Sequence, residues 1–176
     1  PEESSVKRLI LFALGLLAFS LLSCSSKTAT QAPPAAPSPP QHDMRIKTLL
    51  DALEANYEID EDADFKLEWE YDNGRNQIVY VNSNTEEYEN MEIREVWSFA
   101  HKEEAPLPGW MANKLLESSS TIKWGAWHVM GKGPYFVVFV VKLEANSSAQ
   151  MLSDAMKIVR EQADKMEIEL NGDDDY

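Results

Sequence analysis

The sequence predicts an α+β domain, a five-stranded, mainly antiparallel sheet with helices packed on one face, in the order α-β-β-β-α-β-β-α. Three observations predict it. Apolar residues recur at helical spacing in two places: Ile46, Leu49, Leu50 and Leu53 near the start, and Leu152, Ala155, Val159, Ala163, Met166 and Leu170 near the end. Between them, several stretches alternate apolar and polar side chains with the period of two that a half-buried strand imposes. Turns containing Gly, Asn or Pro join these stretches as they join hairpins.

The elements follow in order. The first helix spans about 44–56, with Asp43 as its N-cap and the acidic run Asp60 to Asp64 beyond its end. The first strand, about 64–71, alternates Phe65, Leu67, Trp69 and Tyr71 with Lys66, Glu68 and Glu70. Asp72-Asn73-Gly74 supplies the positive φ values of a tight hairpin. A second strand covers about 77–82, and the polar stretch Asn82 to Asn90 reads as a loop. The third strand, about 91–100, sets Met91, Ile93, Trp97 and Phe99 on one face and Glu92, Arg94 and Ser98 on the other. A short helix over about 110–117 closes on Ser118-Ser119-Ser120. Strands over about 121–130 and 135–144 are joined by Gly131-Lys132-Gly133-Pro134, and the last of them is apolar on both faces up to Lys142. The closing helix, about 148–169, opens on Ser147-Ser148-Ala149-Gln150, which spells a capping box, and stops at Asn171-Gly172. The folded unit is therefore 44–171, followed by an acidic tail, 172–176.

Two zones precede it. Lys7 and Arg8 are followed by an uncharged run of 14 residues, Leu9 to Leu22, and by Ser23-Cys24. That run is too short for a membrane-spanning helix, which needs about 20 residues, and suits the apolar core of a signal peptide. Its close on a small residue and cysteine resembles a bacterial lipoprotein signal. The resemblance implies that residues 1–23 are removed and that a lipid is attached to Cys24, anchoring the protein to a membrane. With Ser25 next, it also implies the outer membrane, facing the periplasm. Residues 24–43 then form a Pro/Ala-rich tether holding five of the nine prolines. In polyproline II its 19 residues after Cys24 reach up to roughly 60 Å.

Charge and composition narrow the function. Sixteen Lys and Arg stand against 30 Asp and Glu, a net charge of −14, and removing residues 1–23 takes two of each sign and leaves it unchanged. An acidic surface of that size repels nucleic acid, so none is expected as a partner. The single cysteine precludes an internal disulfide or a cysteine-rich zinc site.

The element order, with Ile46-Lys47-Thr48-Leu49-Leu50 in the first helix, Leu115-Leu116 before the return at Lys123-Trp124-Gly125, and Ala163-Asp164-Lys165-Met166-Glu167 in the last helix, resembles the YbjN family and its type III secretion chaperone-like fold. The resemblance implies a noncatalytic domain, often dimeric, whose relatives in the fold bind extended polypeptide segments.

Direct search for chemistry agrees with a noncatalytic reading. Asp60-x-Asp62-x-Asp64 opens like a calcium loop, but Phe65 and Tyr71 stand where the loop needs Gly and Glu. His42, His101 and His128 are not spaced as metal ligands. Gly131-Lys132-Gly133 lacks the rest of a phosphate loop, and no nucleophile elbow is present. No catalytic, cofactor-binding or metal residues are therefore assigned, no cofactor is expected, and the chain is read as not an enzyme; the alternatives are an enzyme with a carboxylate site that carries no motif, or a purely structural lipoprotein. Five tryptophans are the one excess. Trp69, Trp97 and Trp124 are expected to pack in the core. Trp127, out of phase with Trp124, is expected to share a face with Val129, Val138 and Val140. That apolar set is the candidate protein-binding face, for a peptide, a protein partner or a second copy, unless the short helix near Trp110 folds over it.

Overall fold

The computed structural model describes residues 40–72 and 74–172. Cys24, the leader, the tether up to Pro39 and the acidic tail after Gly172 lie outside the described residues.

The chain is an α+β domain with three helices on one side of a six-stranded antiparallel sheet. Helix α1 (Met44–Ala52) leads through β1 (Glu58–Ile59) into β2 (Phe65–Glu70), β3 (Asn76–Tyr88) and β4 (Met91–Glu103). Helix α2 (Gly109–Thr121), β5 (Ala126–Met130), β6 (Tyr135–Glu144) and α3 (Ala149–Asn171) follow. The strand order is β1-β2-β3-β4-β6-β5, with every neighbouring pair antiparallel.

The sixth strand is the two-residue β1, paired with β2 through Glu58 and Ile59. Asp60 makes the turn between them, its Oδ1 accepting from the backbone N–H groups of Asp62 at 3.0 Å and Asp64 at 2.9 Å. The acidic run is thus a hairpin connection whose first carboxylate caps backbone.

Asn82 to Tyr88 is strand, where a loop was expected. Thr85, Glu86, Glu87 and Tyr88 pair with Arg94, Ile93, Glu92 and Met91. Apart from Thr85 and Tyr88 the segment holds poor strand formers, Asn and Glu chief among them, and pairing with the partner strand overrides that preference. The register slips between Val81 and Thr85, at Ser83. Ser83 uses the irregularity: its N–H donates to Asp64 Oδ1 at 2.6 Å, its hydroxyl donates to the Ala63 carbonyl at 2.5 Å, and it accepts from the Asp43 N–H at 3.1 Å. One buried serine therefore ties together the start of α1, the β1–β2 turn and β3.

Helix boundaries follow local hydrogen bonding. Asp43 caps α1, accepting from the Arg45 N–H at 2.8 Å. Helix α1 stops at Ala52, short of the expected 56, and Glu54 follows at φ 53°. Helix α2 runs on through Ser118-Ser119-Ser120 to Thr121, and the Ser120 and Thr121 hydroxyls donate back to the carbonyls of Glu117 and Ser118 in its last turn. At α3 the cap is Ser148, accepting from Met151 N–H at 3.3 Å, while Gln150 turns forward to Asp154 at 3.0 Å, so the expected capping box is not formed. Gly172 ends α3 in the left-handed region at φ 74°.

The core lies between sheet and helices. Ile46 and Leu50 of α1 and Leu152, Ala155 and Val159 of α3 pack on Phe65, Leu67, Val79, Val81, Val96, Phe139 and Val141. Met111 and Leu115 of α2 extend it over Ala100, Val137, Ala163 and Met166. Up to the irregularity between Phe99 and His101, the residues of β4 that face the helices are Arg94, Val96, Ser98 and Ala100, all buried. Two of them are polar, and their partners explain it. Arg94 donates to Asp43 Oδ2 at 2.5 Å and to the carbonyl of Asn82; Ser98 accepts from Gln77 Nε2 at 2.9 Å and donates to the Ile78 carbonyl at 2.5 Å. Buried polar groups on this strand are satisfied, so their burial is tolerated.

Candidate functional site

The helices cover one side of the sheet, and the other side carries a group of rings that touch one another. On β3, Ile78 and Tyr80 point away from the helices; on β4, Ile93, Glu95, Trp97 and Phe99 do so; on β6, Phe136, Val138, Val140 and Lys142. Directly paired residues share a face in an antiparallel ladder, which puts Tyr80 beside Trp97, Trp97 beside Val140 and Phe99 beside Val138. Trp97 stacks on Tyr80 with centroids 4.3 Å apart and planes 12° from parallel. Phe99 meets Trp97 edge-on at 4.9 Å, and Phe136 meets Phe99 at 5.6 Å. The Trp97 indole N–H donates to Asn82 Oδ1 at 2.7 Å, which fixes the ring's tilt. The four rings form one half-buried ridge across β3, β4 and β6.

Trp97 was expected in the core, and it lies on this open side. The alternation on β4 groups Met91, Ile93, Trp97 and Phe99 together as expected, but the face they share is the one away from the helices. Trp69 and Trp124 do pack against the core. The reason for the inversion on β4 is spatial. Helix α3 presents Ala155, Val159 and Ala163 to the sheet, and a close helix favours the smaller set, Val96, Ser98 and Ala100, beneath it.

The expected face of Trp127, Val129, Val138 and Val140 is divided by the ladder between β5 and β6. Trp127 pairs with Phe139 and Val129 with Val137, both helix-side residues. Val138 and Val140 pair with His128 and Ala126 on the open side. One residue of register moves a side chain to the opposite face, and the sequence pattern did not fix the register. Trp127 packs half-buried against the core: its ring meets Phe139 at 5.0 Å, its indole N–H donates to Ser118 Oγ at 3.1 Å, and its backbone N–H donates to Ser119 Oγ at 3.0 Å. Helix α2 thus folds over the Trp127 side. Val129 stands exposed at the sheet edge. Val138 and Val140 are 0% and 1% exposed, so on the open side the aromatic ridge is what a partner would meet, with the valines beneath it.

The histidines do not converge. His128 lies on the open face, where burial pushes its pKa down. His101 faces the helices and contacts Asn171 and Glu103. His42 packs edge-on to Phe65 at 5.8 Å, so packing begins two residues before α1. Among the described residues, no group of three or more His, Cys, Asp or Glu is arranged to hold a metal.

Carboxylates with displaced pKa values are engaged with the frame. Burial alone would raise Asp43, yet hydrogen bonds from Arg45 and Arg94 hold it well below the usual range. Glu92 is lowered to about 2 by hydrogen bonds from Arg45 and then Thr85. Asp64 is raised, chiefly by burial and partly by Asp60 and Asp62, against the Ser83 N–H. Asp164 and Glu167 both face Arg75, at 2.9 and 3.9 Å. A cleft of about 300 Å³ lies between α2, β5 and α3, and the ion pair Lys114–Glu169, 2.6 Å, lies on its wall.

No protein-family model matches the chain, and no curated protein matches it. Among solved structures it is similar to the crystal structure of YbjN from E. coli, with a TM-score of 0.46 and 12% identity over 72% of this chain and 89% of that one.

Proposed function

We propose that the chain is a lipid-anchored protein of the bacterial cell envelope whose folded part is a noncatalytic, YbjN-like domain that holds a polypeptide partner on its open sheet face. The observation that carries the binding role is the ridge of Tyr80, Trp97, Phe99 and Phe136, set on the side opposite all three helices. Contiguous apolar surface of that kind marks interaction sites, and aromatic side chains are the usual anchors of interfaces. The ridge is also held in place before any partner arrives, by ring stacking and by the Trp97–Asn82 hydrogen bond, which lowers the entropy cost of binding. The anchoring role rests on Lys7-Arg8, the 14-residue apolar run and Cys24 at its end. A tether of up to roughly 60 Å would let the domain sample the periplasm while staying at the membrane.

Two variants test the two halves separately. Cys24→Ala should lose incorporation of labelled fatty acid and partition away from the membrane, while its domain stays folded. Trp97→Ala should keep the lipid and the fold and lose the partner. A Cys24→Ala chain that still carries lipid would overturn the anchoring, and a Trp97→Ala chain that retains its partner would overturn the binding face.

A further inference from the structure

Resting on the reading of the open face as a binding surface, the geometry points to the class of its occupant: we propose a cationic amphipathic helix from a partner polypeptide.

Backbone satisfaction comes first. Strands β4 and β6 lie inside the sheet, each paired on both edges. At the outer edge of β5 the Trp127 N–H is taken by Ser119. A ligand lying on the ridge therefore finds no free strand edge beneath it, and must satisfy its own N–H and C=O groups. A helix does so, and laying an apolar helical stripe on an apolar face is an established mode of peptide recognition. The size agrees: three strands at about 4.8 Å spacing give a ridge roughly 10 Å wide, close to the diameter of a helix.

Charge decides the rest. The lysines of this face are already paired, Lys66 with Glu58 at 4.0 Å, Lys102 with Glu104 at 2.7 Å and Lys142 with Glu95 at 2.9 Å. Glu68, directly opposite Ile78 in the β2–β3 ladder, and Glu70, opposite Asn76, are exposed and in no ion pair among the described residues. The ridge is thus bordered by surplus carboxylate in a chain of net charge −14. A second copy would bring the same surplus against itself, whereas Lys or Arg flanking an apolar stripe would complement it.

The experiment titrates the full chain with synthetic amphipathic helices of one apolar pattern whose polar positions are all Lys, all Gln or all Glu, and follows backbone and indole NMR shifts. The expected result is that the Lys helix shifts Tyr80, Trp97 and Phe99 and binds roughly tenfold tighter than the Gln helix, with the Glu helix weakest. Trp97→Ala, and separately Glu68→Lys with Glu70→Lys, should each weaken the Lys helix about tenfold or more, while the same charge change on the helix side, Glu117→Lys with Glu161→Lys, should not. Equal weakening by both charge pairs would show unspecific attraction and overturn the proposal. Equal binding of the Gln and Lys helices at the ridge would overturn the charge class and leave the binding face standing. Failure of every helix to shift the ridge would overturn both. A dimer that forms through the ridge and is lost in Trp97→Ala would make a second copy the occupant and also overturn it.

Discussion

The indole of Trp97 lies 4.3 Å from the ring of Tyr80 and nearly parallel to it, on the side of the sheet away from the helices. Stacked pairs contribute about 0.5–1.5 kcal/mol beyond the area they bury. The rings that Trp97 touches, Tyr80 and Phe99, belong to the open face, and Trp97 is not among the residues packed on the helix-side core. Trp97→Ala is therefore expected to cost only about 1–2 kcal/mol in denaturant unfolding, far less than a large core truncation. A loss above about 4 kcal/mol would show the ridge to be a structural keystone.

Asp43 predicts where the domain begins. It caps α1, binds Arg45, and accepts from the buried Arg94. A chain starting at His42 should melt with the full chain. One starting at Met44 loses the cap and leaves Arg94 buried without its carboxylate, a loss of about 3 kcal/mol or more. Calorimetry of the two truncations checks this, and equal melting temperatures would refute it.

The same cluster sets the acid response. Asp43 and Glu92 both have folded pKa values below their unfolded ones. Their contribution is complete above the unfolded carboxylate pKa, near 4, and is lost as pH falls from there through the folded values. Asp64 has the opposite sign: its raised folded pKa means that ionising it opposes folding as pH rises. Asp64→Asn keeps an oxygen for the Ser83 N–H, so it should stabilise the domain at neutral pH, with the gain shrinking on acidification. Unfolding midpoints between pH 3 and 8 for Asp43→Asn and Asp64→Asn should diverge in opposite directions.

Gly125 predicts a backbone constraint. It sits at φ +95°, and a Cβ there would lie 2.7 Å from Phe139 Cε1 and 2.7 Å from the Val140 carbonyl oxygen. Gly125→Ala combines a strained backbone with overpacking, about 3 kcal/mol or more. Gly74, at φ +79° with nothing near its Cβ position, should cost less as Ala. Comparable losses at the two positions would contradict the packing at Phe139.

The fold was legible where periodicity is strong: both stripes of α1 and α3, the alternation of β2 and the boundaries of β6 match the sequence reading. What periodicity cannot give is which set of an alternating strand faces the helices. On β4 the larger, more apolar set lies outside, because small residues beneath α3 allow a close approach and because Arg94 and Ser98 find partners inside. Pairing register was equally hidden, so Trp127 and Val140 were grouped although the ladder places them on opposite sides. The proposed binding face was half legible: Val138 and Val140 belong to the open side, while the half-buried rings that lie over it, Tyr80, Trp97, Phe99 and Phe136, sit on strands whose open face periodicity alone does not identify. The signal was present in the unbroken apolar run of β6, which needs cover on both faces.

The most direct test of the binding face is photo-crosslinking in the native envelope from Ile78→p-benzoylphenylalanine, on the open side beside the ridge, against Leu116→p-benzoylphenylalanine, exposed on α2. The account predicts a polypeptide adduct from position 78, abolished by Trp97→Ala, and none from position 116. Adducts from position 116 alone, or from both positions equally, would contradict it.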